Sequence, residues 1–511
     1  MNATISHEPP WMEISLPQFP TLEQNLKVDV VVVGAGLTGL TTAYLLSQEG
    51  VAVALIDRGP IAGVDSFHTT AHLTYVTDSR LHELVDKFGR EAARSFWEAG
   101  AAAIDQIDRT VRDLNLECDF RRVPGYLHQS VRSDSASEVK GLHKDADLAR
   151  ELGFEASFVE RVPYANRPGI RFAHQAKFHP RKYFKGLLSA IQNNGGYIFE
   201  DTALQKVEED PMQVVANGRR IRCDYLVIAT HNPLMGTQGA ATATLFQTKL
   251  SLYTSYVLGA RLPADSVDEG LYWDTHDPYD YLRIEDCPEG QYAIFGGEDV
   301  KTGQEDEPEE VFRRLLTRLN KVLPMATAER RWLGQVVETD DGMPFIGENA
   351  PREFIATGFC GNGFTLGTLS AMMARDSFLG RSNPWSSLLQ VQRSPFHGGL
   401  WRYVKENADY PYYMLRDRIV RGESTVAEVS NGAGAIVRVN GERAAAYRDE
   451  HGNMTLLSPT CSHLKCIVRW NDVDRTWDCP CHGSRFKATG EVLSGPAEEP
   501  LHLLKASGKT S

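Results

Sequence analysis

Two Cys/His pairs near the end of the chain restrict how that region can fold. The first pair is Cys461-Ser-His463 and the second is Cys479-Pro-Cys481-His482. Thiolates suit soft metals and imidazoles suit borderline ones, so the pairs offer two sulfur and two nitrogen ligands. Such a set fits either zinc or a mixed-ligand two-iron cluster, and both require the two segments to meet in space.

Two further cysteines favour the iron-sulfur interpretation. Cys466 and Cys481 each lie close behind a ligand pair, and the second pair continues into Gly483-Ser484. The full pattern, CSHLKC followed by CPCHGS, resembles the Rieske [2Fe-2S] family. A structural zinc ribbon is the alternative, although such a site has no use for a paired Cys466 and Cys481.

The resemblance implies how the cluster would be bound. It assigns the ligands of the two irons, which are Cys461 and Cys479 for one and His463 and His482 for the other. Such mixed ligation raises the reduction potential above that of an all-cysteine cluster. The resemblance also implies a disulfide between Cys466 and Cys481, and a proline loop at Gly495-Pro496-Ala497 that covers the cluster.

One departure from the Rieske pattern concerns the potential. Ser484 stands where a hydroxyl can donate to a cluster sulfur, but Phe486 stands where high-potential members have a tyrosine. Losing one donor removes a stabiliser of the reduced, more negative cluster. We therefore expect an intermediate or low potential for a Rieske centre.

Length and charge set the broad class of the protein. At 511 residues the chain is expected to form two or three domains, and its net charge of −13, without a basic run, argues against a nucleic-acid partner. No signal-peptide pattern is present and the apolar runs are only strand-length, so no membrane span is expected and a cytoplasmic location is the default. The remaining cysteines are predicted to be buried thiols, and they are Cys118, Cys223, Cys287 and Cys360.

A glycine motif near the N-terminus lies in a strand-helix-strand pattern. The β-branched run from Val28 to Val33 leads into Gly34-Ala-Gly36-Leu-Thr-Gly39, then a helix to Gln48 and a second strand that ends at Asp57. In this order the glycines permit a tight turn, close approach of backbone to a pyrophosphate, and helix-strand packing. Asp57 is expected to bind a ribose hydroxyl, so the pattern predicts a dinucleotide site.

Distant segments favour FAD over NAD. A single glycine motif of this type is present, and four other segments resemble the D-amino-acid oxidase superfamily of FAD enzymes: His179-Pro180, Asp224 to Thr230, Asp340 to Gly347, and Gly358 to Gly367. The last of these is predicted to begin a helix whose positive N-terminal end suits the flavin pyrimidine. The whole chain resembles bacterial flavoproteins that pair an amine-oxidase-like FAD module with a C-terminal Rieske domain.

The resemblance implies a set of cofactor-binding residues. They are Gly34, Gly36, Leu37, Thr38, Gly39, Asp57, Arg58, Thr69, Thr70, Gly358, Gly361, Asn362, Gly363, Phe364 and Thr365. Some superfamily members attach FAD covalently through a histidine near this segment. Thr69 falls at that position and His68 one place away, while Gly334 falls near an attachment cysteine of other members. Non-covalent FAD is therefore favoured, with a bond to His68 as the alternative.

The expected fold is an α/β FAD-binding Rossmann-like domain with an antiparallel-sheet substrate domain, similar to D-amino-acid oxidase and glutathione reductase, followed by an all-β Rieske domain. The expected parts are an N-terminal arm (1–27), an oxidoreductase domain (28–381), a connector (382–424) and the Rieske domain (425–511). Within the second part, FAD-binding segments are expected at about 28–80, 171–245 and 331–381, and substrate-domain segments at about 81–170 and 246–330. Amphipathic spacing predicts one or two helices over Leu81 to Leu116, and turn patterning predicts an antiparallel sheet over 246–300.

Several residues are candidates for contact with the substrate. Where amino-acid members of the superfamily bind the substrate carboxylate with an arginine, this chain has Gln335, and a neutral amide cannot balance a buried carboxylate. Arg283 is the candidate replacement, with an exposed strand arginine as the alternative. The aromatic candidates for lining an amine site, or for packing only, are Tyr253, Tyr256, Tyr279 and Tyr281.

A flavin accepts two electrons as a hydride, whereas a Rieske cluster passes one electron at a time. The expected activity is oxidation of a small-molecule amine or amino acid by FAD, with electrons leaving singly through the cluster to an external one-electron or quinone acceptor. One alternative is an electron-transfer component reduced by NAD(P)H that feeds a partner, which a second nucleotide-binding motif would support. Another is an oxidase whose Rieske domain serves docking or redox sensing.

Overall fold

The computed structural model describes residues 5–232, 249–393, 412–413, 416 and 425–504. Most of the expected connector (382–424) lies outside these residues, as do the end of the expected FAD-binding segment 171–245 and the last residues of the expected Rieske domain. Within the described ranges, no helix combines the length and the apolar character needed to cross a membrane.

The helices of the described residues are numbered in chain order. They are α1 (Leu37–Gln48), α2 (Leu81–Phe88), α3 (Arg90–Asp113), α4 (Ala136–Glu151), α5 (Pro180–Asn193), α6 (Pro308–Val322), α7 (Gly363–Phe378) and α8 (Ser386–Leu389), with 3₁₀ turns at Pro10–Glu13 and Val426–Glu428. The amphipathic segment predicted over Leu81 to Leu116 forms two helices, α2 and α3, because Gly89 between them adopts a φ of +85°.

A six-stranded sheet carries the glycine motif. Its strands in spatial order are β18 (Phe345–Ala350), β19 (Glu353–Thr357), β12 (Tyr225–Ile228), β2 (Val30–Val33), β3 (Val53–Ile56) and β8 (Tyr197–Phe199). All neighbours pair in parallel except β18, which lies antiparallel at the edge. Strand β2 is buried on both faces, which explains its unbroken run of valines.

The two faces of β2 pack on different layers. Val30 and Val32 pack with Leu40 of α1, and Val31 and Val33 pack with residues such as Val214 of a second sheet. The strands of that second sheet, in spatial order, are β1 (Leu26–Lys27), β11 (Arg219–Arg222), β10 (Met212–Ala216) and β9 (Leu204–Glu209). Strand β2, which leads into the glycine motif, is thus packed between helix α1 and the small sheet.

A nine-stranded sheet draws most of its strands from the segments expected to form the substrate domain. Its strands in spatial order are β17 (Thr327–Thr339), β13 (Leu250–Leu262), β16 (Gly290–Lys301), β15 (Tyr281–Cys287), β14 (Gly270–Asp274), β5 (Arg121–His128), β7 (Gly169–Lys177) and β4 (His72–Leu73), with β6 (Ala156–Val159) beside β7. The antiparallel pairing of β13, β15, β16 and β17 confirms the sheet predicted over 246–300. Strands β7 and β17 belong to this sheet, although most of their residues fall within the expected FAD-binding segments 171–245 and 331–381.

Two small antiparallel sheets make the C-terminal part all-β, as expected. The first contains β20 (Gly434–Val439), β21 (Glu442–Arg448) and β22 (Met454–Leu457), and the second contains β23 (Arg469–Asn471), β24 (Thr476–Asp478), β25 (Arg485–Lys487) and β26 (Val492–Ser494). Trp477 and Phe486 are fully buried in the core of this part, beside the four cysteines. The segment Cys461-Ser-His463 lies between β22 and β23, and the segment Cys479-Pro-Cys481-His482 lies between β24 and β25.

The N-terminal segment also packs against the oxidoreductase part. The indole of Trp11 is 2% exposed and donates a hydrogen bond to the carbonyl of Phe67 at 2.8 Å. Of the cysteines predicted to be buried thiols, Cys118, Cys223 and Cys360 are buried, but Cys287 is exposed. That prediction was wrong for Cys287 because the residue lies at the hairpin that joins β15 to β16.

Candidate FAD cavity and Cys/His centre

A cavity of about 1580 Å³ extends from the glycine motif to the nine-stranded sheet. All fifteen expected cofactor residues belong to the described part of the chain, and twelve of them line this cavity. The other three are Gly39, Gly358 and Thr365, which lie behind the wall. The cavity is therefore lined both by the glycine motif near the N-terminus and by the distant segment 361–364, which the sequence motifs had assigned to one flavin site.

Glycines at the start of α1 allow backbone segments to approach closely. Gly34 has a φ of +99°, and a Cβ there would lie 2.5 Å from the carbonyl oxygen of Ala229. A Cβ on Gly39 would lie 1.8 Å from the carbonyl oxygen of Gly34, so that position tolerates glycine alone. The N-terminal turn of α1 is in this way brought onto the cavity, where its free amides suit a pyrophosphate.

Asp57 lies at the end of β3 and lines the cavity. Its two carboxylate oxygens accept hydrogen bonds from the amides of Ala35, at 2.7 Å, and Gly59, at 2.9 Å. Burial raises the pKa of this carboxyl, while the two amide hydrogen bonds oppose the shift. Each oxygen keeps a lone pair that a ribose hydroxyl can reach.

The wall formed by the N-terminus of α7 and the segment after β3 fits a flavin. Gly361 (φ +77°), Asn362 and Gly363 bring the positive helix end to the cavity. Two buried atoms that also belong to lining residues, Nδ1 of His68 and Oδ1 of Asp65, have no hydrogen-bond partner among the described residues. Buried polar atoms are nearly always satisfied, so such orphans are consistent with a polar cofactor.

Tyrosines line the end of the cavity beside the nine-stranded sheet. The hydroxyls of Tyr281 and Ser255 are 2.9 Å apart, and the hydroxyl of Tyr279 donates to Asp78 at 3.1 Å. Tyr253 also lines the cavity. Tyr256 instead packs edge-on against Phe312 in a separate core, with ring centroids 5.0 Å apart.

Arg283 lies beneath this region and does not belong to the cavity lining. It is fully buried, so the alternative of an exposed strand arginine was wrong; the segment before β4 covers it. Its guanidinium donates to the carbonyls of Thr70 at 2.8 Å, Ala71 at 2.9 Å and Phe178 at 2.9 Å, and it pairs with Glu285. The structure thus uses Arg283 to brace a segment that lines the cavity.

Sequence reasoning missed one titratable group here, Asp299, whereas the other, His72, belongs to the segment 66–74 that was expected to contact the flavin ring. Asp299 on β16 lines the cavity, and its Oδ1 is buried without a partner among the described residues. Burial, aided by nearby acidic groups, raises the pKa of Asp299 to about 7. Burial and the charge of Arg283 lower the pKa of His72 to about 3, so this imidazole is neutral. Asp299 occurs in a strand without any motif, so no sequence pattern marked it.

The Cys/His segments meet in the C-terminal part. The thiols of Cys461 and Cys479 hydrogen-bond to each other, which lowers the pKa of Cys461 to about 7. The imidazoles of His463 and His482 contact edge to face, with ring centroids 4.9 Å apart. Burial lowers their pKa values to about 4 and about 3, so both rings are neutral and can ligate metal. The buried Nε2 of His463 has no partner among the described residues, which fits a metal ligand.

The loops around this centre are tied together. Cys466 and Cys481 form a disulfide, and the sulfur of Cys479 lies within 4.8 Å of both disulfide sulfurs. Those three sulfurs cannot serve as a metal site of their own because two are bonded to each other. The buried hydroxyl of Ser484 accepts a hydrogen bond from the amide of Ala497 at 3.0 Å, which draws the segment 495–497 against the ligand loop.

The C-terminal part contributes to the wall of the oxidoreductase cavity. Residues of β25, β26 and the segment after them line it, among them Lys487, Leu493, Ser494 and Glu498. The charge of Glu498 acts on Arg58, an expected cofactor residue. Sequence motifs could not reveal this contact, because each motif describes one domain and none describes the surface between two.

Comparison with known proteins agrees with this arrangement. The family model for FAD-dependent oxidoreductases (DAO) matches residues 29–377, and the Rieske [2Fe-2S] domain model matches residues 423–505. The Bacillus subtilis protein YhfW, named as a Rieske 2Fe-2S iron-sulfur protein, is 32% identical over 493 residues, or 95% of each chain. Escherichia coli gamma-glutamylputrescine oxidoreductase is 24% identical over 416 residues, 78% of this chain and 95% of that protein. The crystal structure of glycine oxidase from Geobacillus kaustophilus has a similar fold, with a TM-score of 0.59 and 14% identity over 72% of this chain and 99% of that one.

A dinucleotide cavity joined to a Cys/His centre defines an oxidoreductase with two redox cofactors. The chain belongs to the family of FAD-dependent oxidoreductases and carries a C-terminal Rieske [2Fe-2S] domain. Its cofactors are FAD and a Rieske [2Fe-2S] cluster, as the sequence motifs indicated.

Gly39→Ala is expected to remove most of the bound FAD. The added Cβ would meet the carbonyl oxygen of Gly34 and push α1 away from the cavity, and such overpacking costs about 1–3 kcal/mol. Flavin absorbance per polypeptide after purification measures the loss. Gly59→Ala is the matched control, since Gly59 lines the same cavity and its Cβ would meet nothing within 4 Å. Equal flavin content in the two variants would contradict the assignment.

Proposed function

We propose that the protein oxidises an amine or amino acid by hydride transfer to FAD and passes the electrons singly through the Rieske cluster to an external acceptor. A cationic amine is the favoured substrate. The supporting observation is that Asp299 lines the cavity together with Ser255 and Tyr281, and that its buried Oδ1 has no hydrogen-bond partner among the described residues. The amine named in the relative from Escherichia coli is of the same chemical class.

The two residues first considered for a substrate carboxylate have other partners. The guanidinium of Arg283 donates to three backbone carbonyls and pairs with Glu285, and both amide hydrogens of Gln335 have protein acceptors. A substrate carboxylate placed beside the ionised Asp299 would be repelled by it, because like charges in a buried site repel strongly. An ammonium group, by contrast, would gain a charge-assisted hydrogen bond.

The overall reaction balances in electrons and protons. The amine loses a hydride from its α-carbon and a proton from nitrogen, and the imine formed is hydrolysed by water to a carbonyl compound and ammonia or a smaller amine. Two equivalents of a one-electron acceptor, or one quinone, take up the two electrons. The residues of this chain bind the ammonium at Asp299 and shape the site with Tyr279 and Tyr281, while FAD when bound accepts the hydride.

We assign the cluster ligands to Cys461, Cys479, His463 and His482. The contact between the two thiols, the neutral state of both imidazoles and the partner-free Nε2 of His463 support this set. The expected domain organisation, an oxidoreductase domain over 28–381 and a Rieske domain over 425–511 joined by a connector, is proposed with it. Non-covalent binding of FAD beside Thr69 and Thr70 is part of the same proposal.

One experiment tests the activity. The purified protein is mixed anaerobically with NADH, NADPH, amino acids, and a panel of mono- and diamines that includes gamma-glutamylputrescine, while flavin and cluster absorbance are followed. We expect an amine to bleach the flavin first and the cluster afterwards. Bleaching by NADPH alone would identify an electron-transfer component instead, and rapid reoxidation of the flavin by oxygen with an unreduced cluster would identify an oxidase.

His482→Ala is expected to abolish turnover with a one-electron acceptor such as ferricyanide while an amine still bleaches the flavin. The physical reason is that removal of one imidazole opens the coordination of one iron. Steady-state acceptor reduction and anaerobic flavin bleaching are measured side by side. His502→Ala, an exposed histidine of the same domain, is the control and should retain both. Unaltered turnover in His482→Ala would show that the cluster is off the electron path.

Asp299→Asn is expected to raise the KM for a cationic amine by about tenfold to a hundredfold, because a hydrogen bond to a charged group contributes about 1.5–3 kcal/mol. The pKa of Asp299 is raised to about 7, so in the unchanged protein amine binding should strengthen as pH rises through 7, and the variant should lose that step.

Because the pKa of Asp299 is raised in the folded protein, ionisation of its carboxyl lowers the free energy of unfolding. This cost accumulates between the ordinary carboxyl pKa and about 7 and is constant above it, so Asp299→Asn should melt at a higher temperature than the unchanged protein at pH 8. Asp268→Asn, an exposed acid in the segment between β13 and β14, is the control. An unchanged KM and pH profile in Asp299→Asn would remove this residue from the substrate site.

A further inference from the structure

The side chain of Gln335 joins the two redox domains. Gln335 lies on β17, lines the FAD cavity and is only 5% exposed. Its Nε2 donates to the hydroxyl of Thr302 at 3.2 Å and to the carbonyl of Gly483 at 2.9 Å, and its Oε1 accepts from the hydroxyl of Ser494 at 2.8 Å. Gly483 directly follows the proposed ligand His482, so this amide connects the cavity wall to the ligand loop.

The backbone around this contact is closely fitted. A Cβ on Gly483 would lie 2.6 Å from the Cβ of Leu252, and a Cβ on Gly303 would lie 2.8 Å from the carbonyl carbon of Cys479. Gln304 donates from its side chain to the carbonyl of Pro480 at 3.0 Å. The ligand loop 479–483 therefore rests directly on the ends of strands that carry the FAD cavity.

The environment of Gln335 explains why these contacts depend on it. A primary amide has two N–H donors, and here both are used, one within the oxidoreductase domain and one across the interface. Replacing it with an apolar side chain would leave the buried carbonyl of Gly483 and the hydroxyl of Ser494 without this partner, and an unsatisfied buried group costs more than the bond itself contributes. Few side chains can bridge a carbonyl and a hydroxyl in this way.

We infer that Gln335 is a positioning residue that seats the ligand loop 479–483 on the FAD cavity, so that electrons pass from flavin to cluster within one chain. This role rests on the proposed function. Each transfer moves one electron from the reduced flavin to the oxidised cluster, and two transfers, with release of the flavin's protons to solvent, follow each substrate oxidised. The external acceptor regenerates the oxidised cluster after each transfer.

The test uses the full-length protein with both cofactors and needs no substrate. Bound flavin is reduced by light with EDTA as the electron donor, and the rate at which the cluster is then reduced is followed by its absorbance and its EPR signal. In Gln335→Met we expect this rate to fall at least about tenfold while the EPR line shape of the cluster is retained. Ser494→Ala, which removes one partner of the amide, should give a smaller decrease.

A second measurement reports positioning without electron transfer. Hydrogen exchange of the backbone amides in 479–485 should be about tenfold faster in Gln335→Met, because the loop separates more often from β17. Gln291→Met is the matched control: Gln291 is also 5% exposed on the same sheet, but it bonds only within the oxidoreductase domain, to Val267, Ser266 and Asp286. The control should lose comparable thermal stability and change neither rate.

The outcomes separate the two proposals. Cluster reduction in Gln335→Met within twofold of the unchanged protein would overturn the role of Gln335 alone. If the rate of cluster reduction in the unchanged protein depends on protein concentration, electrons pass between chains, and the role of Gln335 is overturned as well. No cluster reduction in the unchanged protein after light-driven flavin reduction would overturn the proposed function, and with it this role.

Discussion

The contact between the ligand loop and strand β17 is the constraint on which the arrangement of the two redox domains depends. Gly303 and Gly483 allow backbone to approach where any Cβ would collide, and the amide of Gln335 satisfies polar groups on both sides. A tight interface without such an amide would bury an unpaired carbonyl next to a proposed cluster ligand. Close approach and hydrogen bonding are thus achieved by the same few residues.

Around the cavity, burial and hydrogen-bond partners together determine what the charged side chains Arg283 and Asp299 can do. The buried guanidinium of Arg283 donates to three backbone carbonyls and pairs with Glu285, so it braces the lining segment. Burial, together with the charge of Arg283, keeps His72 neutral. For Asp299 burial outweighs the hydrogen bond from Ser255, so the pKa of its carboxyl is raised. A cation brought by the substrate would supply the missing partner, which is the physical basis for favouring an amine.

Much of the fold followed from local patterns. The valines of β2 and the glycines after them predicted a strand-helix-strand unit because both faces of a parallel strand are buried and only glycine permits the turn. The helix from Gly363 was expected from the resemblance of its glycine segment, and amphipathic spacing predicted one or two helices where α2 and α3 lie. Most of strand β17 was expected in an FAD-binding segment, yet it pairs with β13 of the nine-stranded sheet, and pairing between distant strands leaves no periodicity in the sequence.

The sequence by itself determined the two cofactors, because a glycine turn before a helix and two Cys/His pairs each make a local chemical demand that few other residues meet. Only the tertiary structure decided which polar side chains remain available for a substrate. Arg283 and Gln335 were candidates in sequence, yet the terminal nitrogens of Arg283 bond to backbone carbonyls and to Glu285, and the amide nitrogen of Gln335 bonds to Thr302 and Gly483. Asp299, by contrast, lines the cavity and keeps a buried oxygen without a partner among the described residues. The burial of a side chain and its hydrogen-bond partners depend on contacts between distant segments, and the type of residue alone determines neither.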